Sequence, residues 1–407
     1  MESYVNQLYH KEGNFYKEML ENRMEEYGFC SLARMELCLW EREIFLQIQA
    51  VLGDRVALKG GTAVQFYLPK EVQRTSVDLD IVFKGTKEEI EQTLRTISDK
   101  LCNTHHLFEF SELVTEEPKS RIPLYTYLMK VPSVLDSKDL DRVPTTELST
   151  QEIRIEFVLQ KEIDFVEKYE KEQFLFHKEQ GFHVYSLDNL YADTLTILGP
   201  NTIGMGNDRT VEQVKLFYDL YMMTKYHLKE LDVFKLHNYY IKRAKQQCRI
   251  RKIEFDIQAI KRDVLDQLSS FANCDYIRDD KYEQAMDSFK SAYMNTKVEY
   301  TSLDVVCAAS MIKFIYKNIL ECSSLDFVIQ ADRVANKLET GQFDSHEKGS
   351  MRREIREKLL RDFGENSKIP YRQLKGKDVT RVYWALINPG NRKEIEEDIN
   401  LILSQER

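Results

Sequence analysis

Glycine, proline and paired cysteines are scarce in this sequence, and each scarcity excludes a class of protein. With 15 glycines and 8 prolines in 407 residues, the chain is neither collagen-like nor low-complexity. Its seven cysteines form no C-x-x-C pair and no zinc-like spacing, which predicts reduced thiols. It has no apolar run near the ~20 residues of a membrane span and no signal-peptide layout. We therefore expect a soluble, cytoplasmic protein without a membrane partner.

Glycine and proline are absent altogether from residues 207–340. A sheet of that size would need turn residues, so this region is predicted to be almost entirely helical. The length of 407 residues favours two domains. We expect an α/β (α+β) domain over residues 1–225, with a mixed sheet flanked by helices, and an all-α domain over residues 226–407.

The net charge of −9 excludes a polycation, so any nucleic-acid contact must come from local basic patches. Residues 241–263 contain eight basic and three acidic residues, and a second basic cluster lies at residues 348–381. Both are candidates for binding an RNA backbone. Solvated lysines and arginines on a helix surface would give the same pattern.

The segment over residues 58–83 contains two carboxylates on one face of a predicted strand. Asp78 and Asp80 share that face, because successive strand residues point to opposite sides. The other face is apolar and belongs to the core. Two carboxylates pointing the same way repel each other, and a divalent cation with its preference for oxygen ligands would remove the conflict.

A Gly-Gly pair precedes this strand and opens a short predicted helix at Gly60, Gly61 and Thr62. Glycine permits close backbone approach, and the N–H groups at a helix start bind phosphate. Ordinary turns use glycine in the same way. The G-x-x-x-x-G-K-[ST] spacing of a P-loop is absent.

The strings LKGGTAVQFYL and QRTSVDLDIVF resemble the AbiEii/AbiGii toxin family of nucleotidyltransferases, which has the DNA polymerase β-like fold. The resemblance covers roughly residues 50–225. It implies an N-terminal nucleotidyltransferase-like catalytic domain in which Asp78 and Asp80 bind metal. The nucleotide-binding residues that it implies are Gly60, Gly61, Thr62, Arg74 and Ser76.

The resemblance also implies a third carboxylate on a later strand, and Glu156 in QEIRIEFVL is the candidate. Together with Asp78 and Asp80, Glu156 would hold two Mg²⁺ ions, with Mn²⁺ as an alternative metal. Taken alone, Glu156 would more readily pair with Arg154 on a solvated face. Beside the aspartate pair, we favour the metal.

The last motif that the resemblance implies lies in TVEQVKLFYDLYMM, where Lys215 and Asp219 are candidate catalytic residues and Lys215 also a phosphate ligand. They lie four residues apart, on one helical face, and would equally form a simple ion pair. The family pattern usually reads Arg-Asp-x-Tyr-Asp. Here Leu216 replaces its first aspartate, and Thr194 stands where the preceding helix of the family has a lysine.

The function that the resemblance implies is a Mg²⁺-dependent nucleotidyltransferase, the toxin of a toxin–antitoxin pair used in abortive infection against phage. Nucleotides would pass from an NTP to an RNA acceptor, the tRNA 3′ end, and an antitoxin protein would be the cognate partner. Two alternatives stay open. One is NMPylation of a protein hydroxyl; the other is a non-catalytic protein that binds RNA or a partner, favoured by Leu216 and Thr194 and opposed by the three acids.

Overall fold

The computed structural model describes residues 4–101, 107–113, 124–137, 140–141, 149–170, 180–273, 280–340, 348–366 and 378–404. The chain forms two compact units. The first, here the sheet unit, comprises Met1–Ile197, Tyr239–Asp256 and Asp287–Glu299. The second, here the helical unit, comprises Leu198–Asn238, Ile257–Met286 and Tyr300–Arg407.

Seven described strands form one mixed sheet in the sheet unit, in the order β3-β4-β5-β2-β1-β7-β6. Two neighbouring pairs, β2 with β5 and β1 with β7, are parallel, and the other pairs are antiparallel. The strands are β1 (Val56–Leu58), β2 (Asp78–Phe83), β3 (Phe110–Glu112), β4 (Leu124–Pro132), β5 (Thr150–Leu159), β6 (Phe165–Lys168) and β7 (Phe182–Tyr185).

The helices of the sheet unit are centred on a buried helix, α2. Most of its side chains are inaccessible to solvent, and it contacts β1, β2, β5 and β7 of the sheet. The Ser31 hydroxyl caps its start by accepting a hydrogen bond from the Arg34 amide. The helices are α1 (Lys17–Tyr27), α2 (Leu32–Leu52), α3 (Gly60–Gln65), α4 (Lys87–Lys100) and α5 (Leu187–Leu195), with short 3₁₀ turns between some of them.

Every element assigned to the described part of residues 207–340 is a helix, which confirms the helical prediction. In the helical unit α10 packs against α6 and α8. The helices that begin after residue 209 are α6 (Thr210–His227), α7 (Val233–Arg251), α8 (Ile257–Ala272), α9 (Asp280–Tyr293), α10 (Ser302–Glu321), α11 (Asp326–Thr340), α12 (Lys348–Phe363), α13 (Val379–Leu386) and α14 (Arg392–Ser404). The C-terminal parts of α7 and α9 belong to the sheet unit.

The fold class is confirmed: a mixed sheet flanked by helices, with further helices in a separate unit. The sequence did not predict β6 and β7, because four-residue strands carry too little periodicity. The assignment of a catalytic role to residues 1–225 and of a binding role to residues 226–407 stays a prediction. No described helix is both long and apolar enough to cross a membrane.

Candidate active site

The two aspartates of β2 lie beside a glutamate of the neighbouring strand. In the parallel pairing of β2 with β5, Asp80 is the Cα partner of Glu156, and Asp78 is the partner of Arg154. Partners on neighbouring strands direct their side chains to the same face of a sheet, so Asp80 and Glu156 share a face. On the opposite face Leu79 is fully buried, as the alternation of the strand predicts.

Glu156 forms an ion pair within its own strand. A guanidinium nitrogen of Arg154 lies 2.5 Å from Glu156 Oε1, and the two side chains are 48% and 21% exposed. An ion pair this accessible to water contributes at most ~1 kcal/mol, so a competing cation can displace it. The local pairing foreseen for Glu156 is therefore present, and it leaves Glu156 able to change partners.

The environment of Asp80 strongly perturbs its carboxyl group. Burial raises the pKa of Asp80 to about 7; the Lys59 ammonium acts to lower it, and the carboxylates of Glu156, Asp78 and Asp193 raise it further. A carboxylate that is desolvated among other carboxylates is stabilised by a cation placed against it. The charge environment of Asp80 therefore fits a bound divalent ion.

The chemistry of the candidate ligands also tests whether this site fits a divalent ion. Asp78, Asp80 and Glu156 offer carboxylate oxygens, the ligands that Mg²⁺ prefers. Within the described ranges, however, no group of three or more His, Cys, Asp or Glu side chains is arranged to hold a metal ion. The residues therefore have the right chemistry for the ion, and Glu156 would have to leave Arg154 to join it.

The Gly-Gly pair is explained by side chains that lie against it. Gly60 has a φ of +66°, and a Cβ built there would lie 2.1 Å from Asp80 Oδ2. A Cβ on Gly61 would lie 2.5 Å from a terminal nitrogen of Arg74. The glycines thus allow the backbone to approach the aspartate and the arginine more closely than any side chain would permit.

Thr62 follows the glycines and is fully buried. Its hydroxyl lies within hydrogen-bond distance of two acceptors, the carboxylate of Glu41 at 3.2 Å and the carbonyl of Asp78 at 3.3 Å. Thr62 therefore ties the start of α3 both to α2 and to the first residue of β2. A contact between Thr62 and a nucleotide stays a prediction.

Glu41 itself is a residue that the sequence did not single out. It is fully buried in α2, and among the residues that the structure describes its Oε1 has no hydrogen-bond partner. Burial raises the pKa of Glu41 to about 8; Arg42 opposes the shift, and Asp78 and Asp80 add to it. α2 contains several glutamates, and no spacing in the sequence distinguishes Glu41 from the others.

Arg74 and Ser76, predicted to bind nucleotide, are both buried. The backbone amide of Arg74 donates to the side chain of Gln65, and its guanidinium donates to the next carbonyl in the chain. The backbone of Ser76 forms hydrogen bonds with the Cys38 sulfur at 2.9 and 3.1 Å. These bonds fix the segment that leads into β2, and the nucleotide contacts of both residues stay predictions.

A buried charge group beside the glycines was also missed from the sequence. Lys59 Nζ lies 2.9 Å from Asp193 Oδ2 in α5, and Asp193 Oδ1 lies 3.9 Å from Arg243 Nε. Arg243 also donates to Asn189 and Gln160. Burial would raise the pKa of Asp193, but Lys59 and Arg243 hold it below its usual range. The one signal in the sequence is that Lys59 immediately precedes the Gly-Gly pair.

The remaining predicted residues, Lys215 and Asp219, lie in α6 of the helical unit. Asp219 is buried and Lys215 is half-buried. Their catalytic roles stay predictions. Thr194, which stands in α5 where the resemblance implies a lysine, is buried, and its hydroxyl donates to the carbonyl of Leu190 at 2.8 Å.

Comparison with known proteins was made for sequence and for structure. The family model described as nucleotidyl transferase AbiEii toxin, type IV TA system, matches residues 44–298. Among solved structures, MenT4, a nucleotidyltransferase toxin from Mycobacterium tuberculosis, is similar with a TM-score of 0.42 and 10% identity over 94% of this chain and 98% of its own. No curated protein matches the sequence significantly.

The family match spans more than half of the chain, and it contains the glycine pair, the aspartates of β2 and Glu156. The chain therefore belongs to the AbiEii family of nucleotidyl transferase toxins of type IV toxin–antitoxin systems.

Proposed function

We propose that this toxin transfers nucleotides from an NTP to an RNA acceptor, the 3′ end of a tRNA, in a reaction that depends on Mg²⁺ or Mn²⁺. The family supplies the reaction class. The observation that carries the proposal is the register of Asp80 with Glu156, together with the close approach of Gly60 to Asp80. In this arrangement the backbone of the glycine pair, which would bind phosphate, lies beside the carboxylates that would bind metal.

Asp78, Asp80 and Glu156 would be the metal ligands. When bound, divalent ions neutralise phosphate charge and clamp the attacking and leaving oxygens of an in-line displacement. The protein's part is to hold the carboxylates on neighbouring strands and to bury Asp80 partly. The neighbouring carboxylates of Asp78 and Glu156 favour a ligand of positive charge beside Asp80.

The triphosphate would lie against Gly60, Gly61 and Thr62, with Arg74 and Ser76 shaping the segment behind them. The acceptor hydroxyl then attacks the α-phosphorus: the new O–P bond forms as the bond to the β-phosphate oxygen breaks, and pyrophosphate leaves. The enzyme contributes mainly position and charge neutralisation. We keep Lys215 and Asp219 as proposed participants, Lys215 on the phosphates and Asp219 as its orienting partner.

The RNA acceptor is supported by an exposed row of cations on α7 and the residue after it, here called the basic stripe. Its members recur at intervals of three or four residues, so those within α7 lie on one helical face. The residue after the helix, Lys252, has a left-handed backbone with a φ of +57°. The members are Lys242, Lys245, Arg249 and Lys252, all exposed. Arg243, on the buried side of α7, anchors the same helix to Asn189 of α5. A row of exposed cations in an acidic protein suits a phosphate backbone.

The family assigns the chain to a toxin–antitoxin pair, so an antitoxin is its partner. We propose that the toxin acts in the cytoplasm, and that its activity against tRNA serves abortive infection during phage attack. A toxin that blocks translation by modifying tRNA would stop phage production along with cell growth.

The test is incubation of the purified protein with each labelled NTP and either total tRNA or a protein extract, with and without Mg²⁺ or Mn²⁺. We expect metal-dependent label in tRNA that is removed by trimming the 3′ end. Label confined to protein would replace the RNA acceptor by a protein hydroxyl. Labelling that proceeds unchanged in EDTA would refute the metal dependence.

Replacing the central carboxylate gives a sharper prediction. Asp80→Ala should lower nucleotide transfer by about a hundredfold or more, since it removes a metal ligand and the charge that positions the phosphates. It should also relieve growth inhibition when expressed in cells. Asp99→Ala, at an exposed position of α4, is the control and should leave both unchanged. Full toxicity of Asp80→Ala would refute the mechanism.

A further inference from the structure

The Lys59 side chain forms an ion pair that the proposed metal and glycine sites leave unexplained. From its position we infer that Lys59 binds the phosphates of the incoming NTP, with Asp193 holding its ammonium in place. The inference rests on the proposed function only in taking an NTP as substrate, and it holds whichever acceptor is used.

The backbone fixes Lys59 beside the acidic residues. Its amide donates to the carbonyl of Asp80 at 3.0 Å, and the next residue, Gly60, lies directly against the Asp80 carboxylate. This hydrogen bond continues the pairing of β1 with β2, so it fixes the backbone of Lys59 beside Asp80. A ligand that binds to the glycine pair would therefore lie close to the Lys59 side chain.

The ion pairs of Lys59, Asp193 and Arg243 do not balance in charge. Asp193 pairs with both Lys59 and Arg243, at 2.9 and 3.9 Å. These two cations share one carboxylate, and the other carboxylate that acts on Lys59 is Asp80, a proposed metal ligand. With the charge of Asp80 taken up by a metal ion, the group of three keeps one positive charge in excess. All three side chains are largely shielded from water, with exposures of 17%, 10% and 3% for Lys59, Asp193 and Arg243. An excess charge in such a place attracts an anion more strongly than it would at the surface.

Neighbouring groups do not fill the same role. Thr194, the position of the lysine implied on α5, is buried and bonded to a backbone carbonyl. The guanidinium of Arg154 is 48% exposed, so water and salt screen its charge more than they screen a buried cation. Arg74 lies buried against Gly61. Lys59 pairs with Asp193, the residue before Thr194. Its ammonium therefore lies beside the position on α5 where the resemblance implies a lysine.

A purely structural role makes a different prediction. If Lys59 served only to neutralise Asp193, breaking the pair from either side would have the same effect on ligands. If Lys59 binds phosphate, removing the lysine weakens phosphate binding. Asp193→Asn removes a charge but keeps a side-chain oxygen that can accept from the Lys59 ammonium, so the cation stays in place to bind the ligand. Comparing the two substitutions therefore separates the roles.

The experiment is calorimetric titration of the full-length protein with inorganic pyrophosphate in Mg²⁺, since pyrophosphate is common to every NTP. Lys59→Met should bind it about tenfold more weakly or worse, the effect of losing one charge-assisted hydrogen bond. Asp193→Asn should lose less than about threefold in the same affinity. Lys84→Met, an exposed lysine at the end of β2, should match the wild type.

Wild-type affinity in Lys59→Met, or an equal loss in Lys59→Met and Asp193→Asn, would overturn the inference. If Lys59→Met does not fold, Lys59→Arg and Lys59→Gln replace it: the arginine variant should retain pyrophosphate binding and the glutamine variant should lose it. Equal affinities for those two would overturn the inference as well. Lys59-dependent pyrophosphate binding without any labelled RNA would support Lys59 and refute the RNA acceptor.

Discussion

At the scale of single residues, close packing explains the Gly-Gly pair better than flexibility does. A side chain of another residue occupies the space that a Cβ would need at each glycine. At Gly60 this side chain is Asp80, and at Gly61 it is Arg74. The pair therefore sets the distance between the backbone of α3 and the carboxylate at the centre of the site.

A methyl group at Gly60 should damage both stability and chemistry. Gly60→Ala is expected to cost about 1–2 kcal/mol for the left-handed backbone alone, with a further cost for pushing Asp80 aside. Chemical denaturation measures the first effect and nucleotide transfer the second. Gly13→Ala is the control, because its Cβ would have no neighbour closer than 3.9 Å and its φ is ordinary. Equal results for the two variants would contradict this account.

The sequence predicted residues whose roles follow from local pattern. The alternation of β2 put Asp78 and Asp80 on one face, and the resemblance supplied Glu156, which lies opposite Asp80 in the register. It could not predict Lys59 with Asp193, because the partners are 134 positions apart and meet only through the packing of α5. Glu41 was missed for the same reason, since its hydrogen bond with Thr62 is tertiary.

At the scale of elements, the N-terminal segment is fastened to α2 by buried charges. The backbone amides of Tyr9 and His10 donate to Glu43, and the His10 ring lies 2.7 Å from Glu43 and 2.8 Å from Glu170. Burial acts to lower the pKa of His10, but the two carboxylates raise it to about 9. Arg42 of α2 approaches Glu170 as well, at 3.4 Å.

This cluster predicts a pH dependence of folding. A histidine whose pKa is raised in the folded state contributes stability that is complete below about pH 6.5 and is lost as the pH rises through about 9. Between pH 6 and pH 9 the wild type should lose about 1–3 kcal/mol of unfolding free energy from this source. His10→Gln should remove that loss in urea titrations. His227→Gln, on α6, should retain it; a wild-type slope in His10→Gln would refute the assignment.

Helices and strands that have a clear capping or periodicity signal can be predicted from the sequence, and those without such a signal cannot. Thr86 and Glu89 form the reciprocal capping box at the start of α4, as the spacing indicates. At the start of α10 the N-cap is Thr301, whose backbone amide and hydroxyl both donate to the carboxylate of Asp304. The strand β7 pairs with β1 in the interior of the sheet, yet its four residues give no pattern that sequence alone could assign.

At the scale of the whole molecule, a net charge of −9 works against nucleic-acid binding, so the basic stripe has to act locally. The double variant Lys245→Glu and Arg249→Glu should weaken tRNA binding by about tenfold to a hundredfold. It should also flatten the log–log salt dependence of binding, by about 0.7–0.9 for each phosphate that the variant no longer neutralises. Fluorescence anisotropy over a range of salt concentrations measures both.

The matched control for the stripe is Lys11→Glu combined with Arg95→Glu, which changes the net charge equally at exposed positions elsewhere. Equal loss of affinity in the two double variants would show that total charge, and not the stripe, governs RNA binding. Unchanged affinity in the stripe variant would remove α7 from the acceptor site.

The order in which the chain builds its two units has a consequence for the history of the gene. The sheet unit is assembled from three separate stretches, the last of which ends at Glu299, and the family match ends at residue 298. Both intervening stretches belong to the helical unit. A single recombination event therefore cannot exchange one unit and leave the other whole.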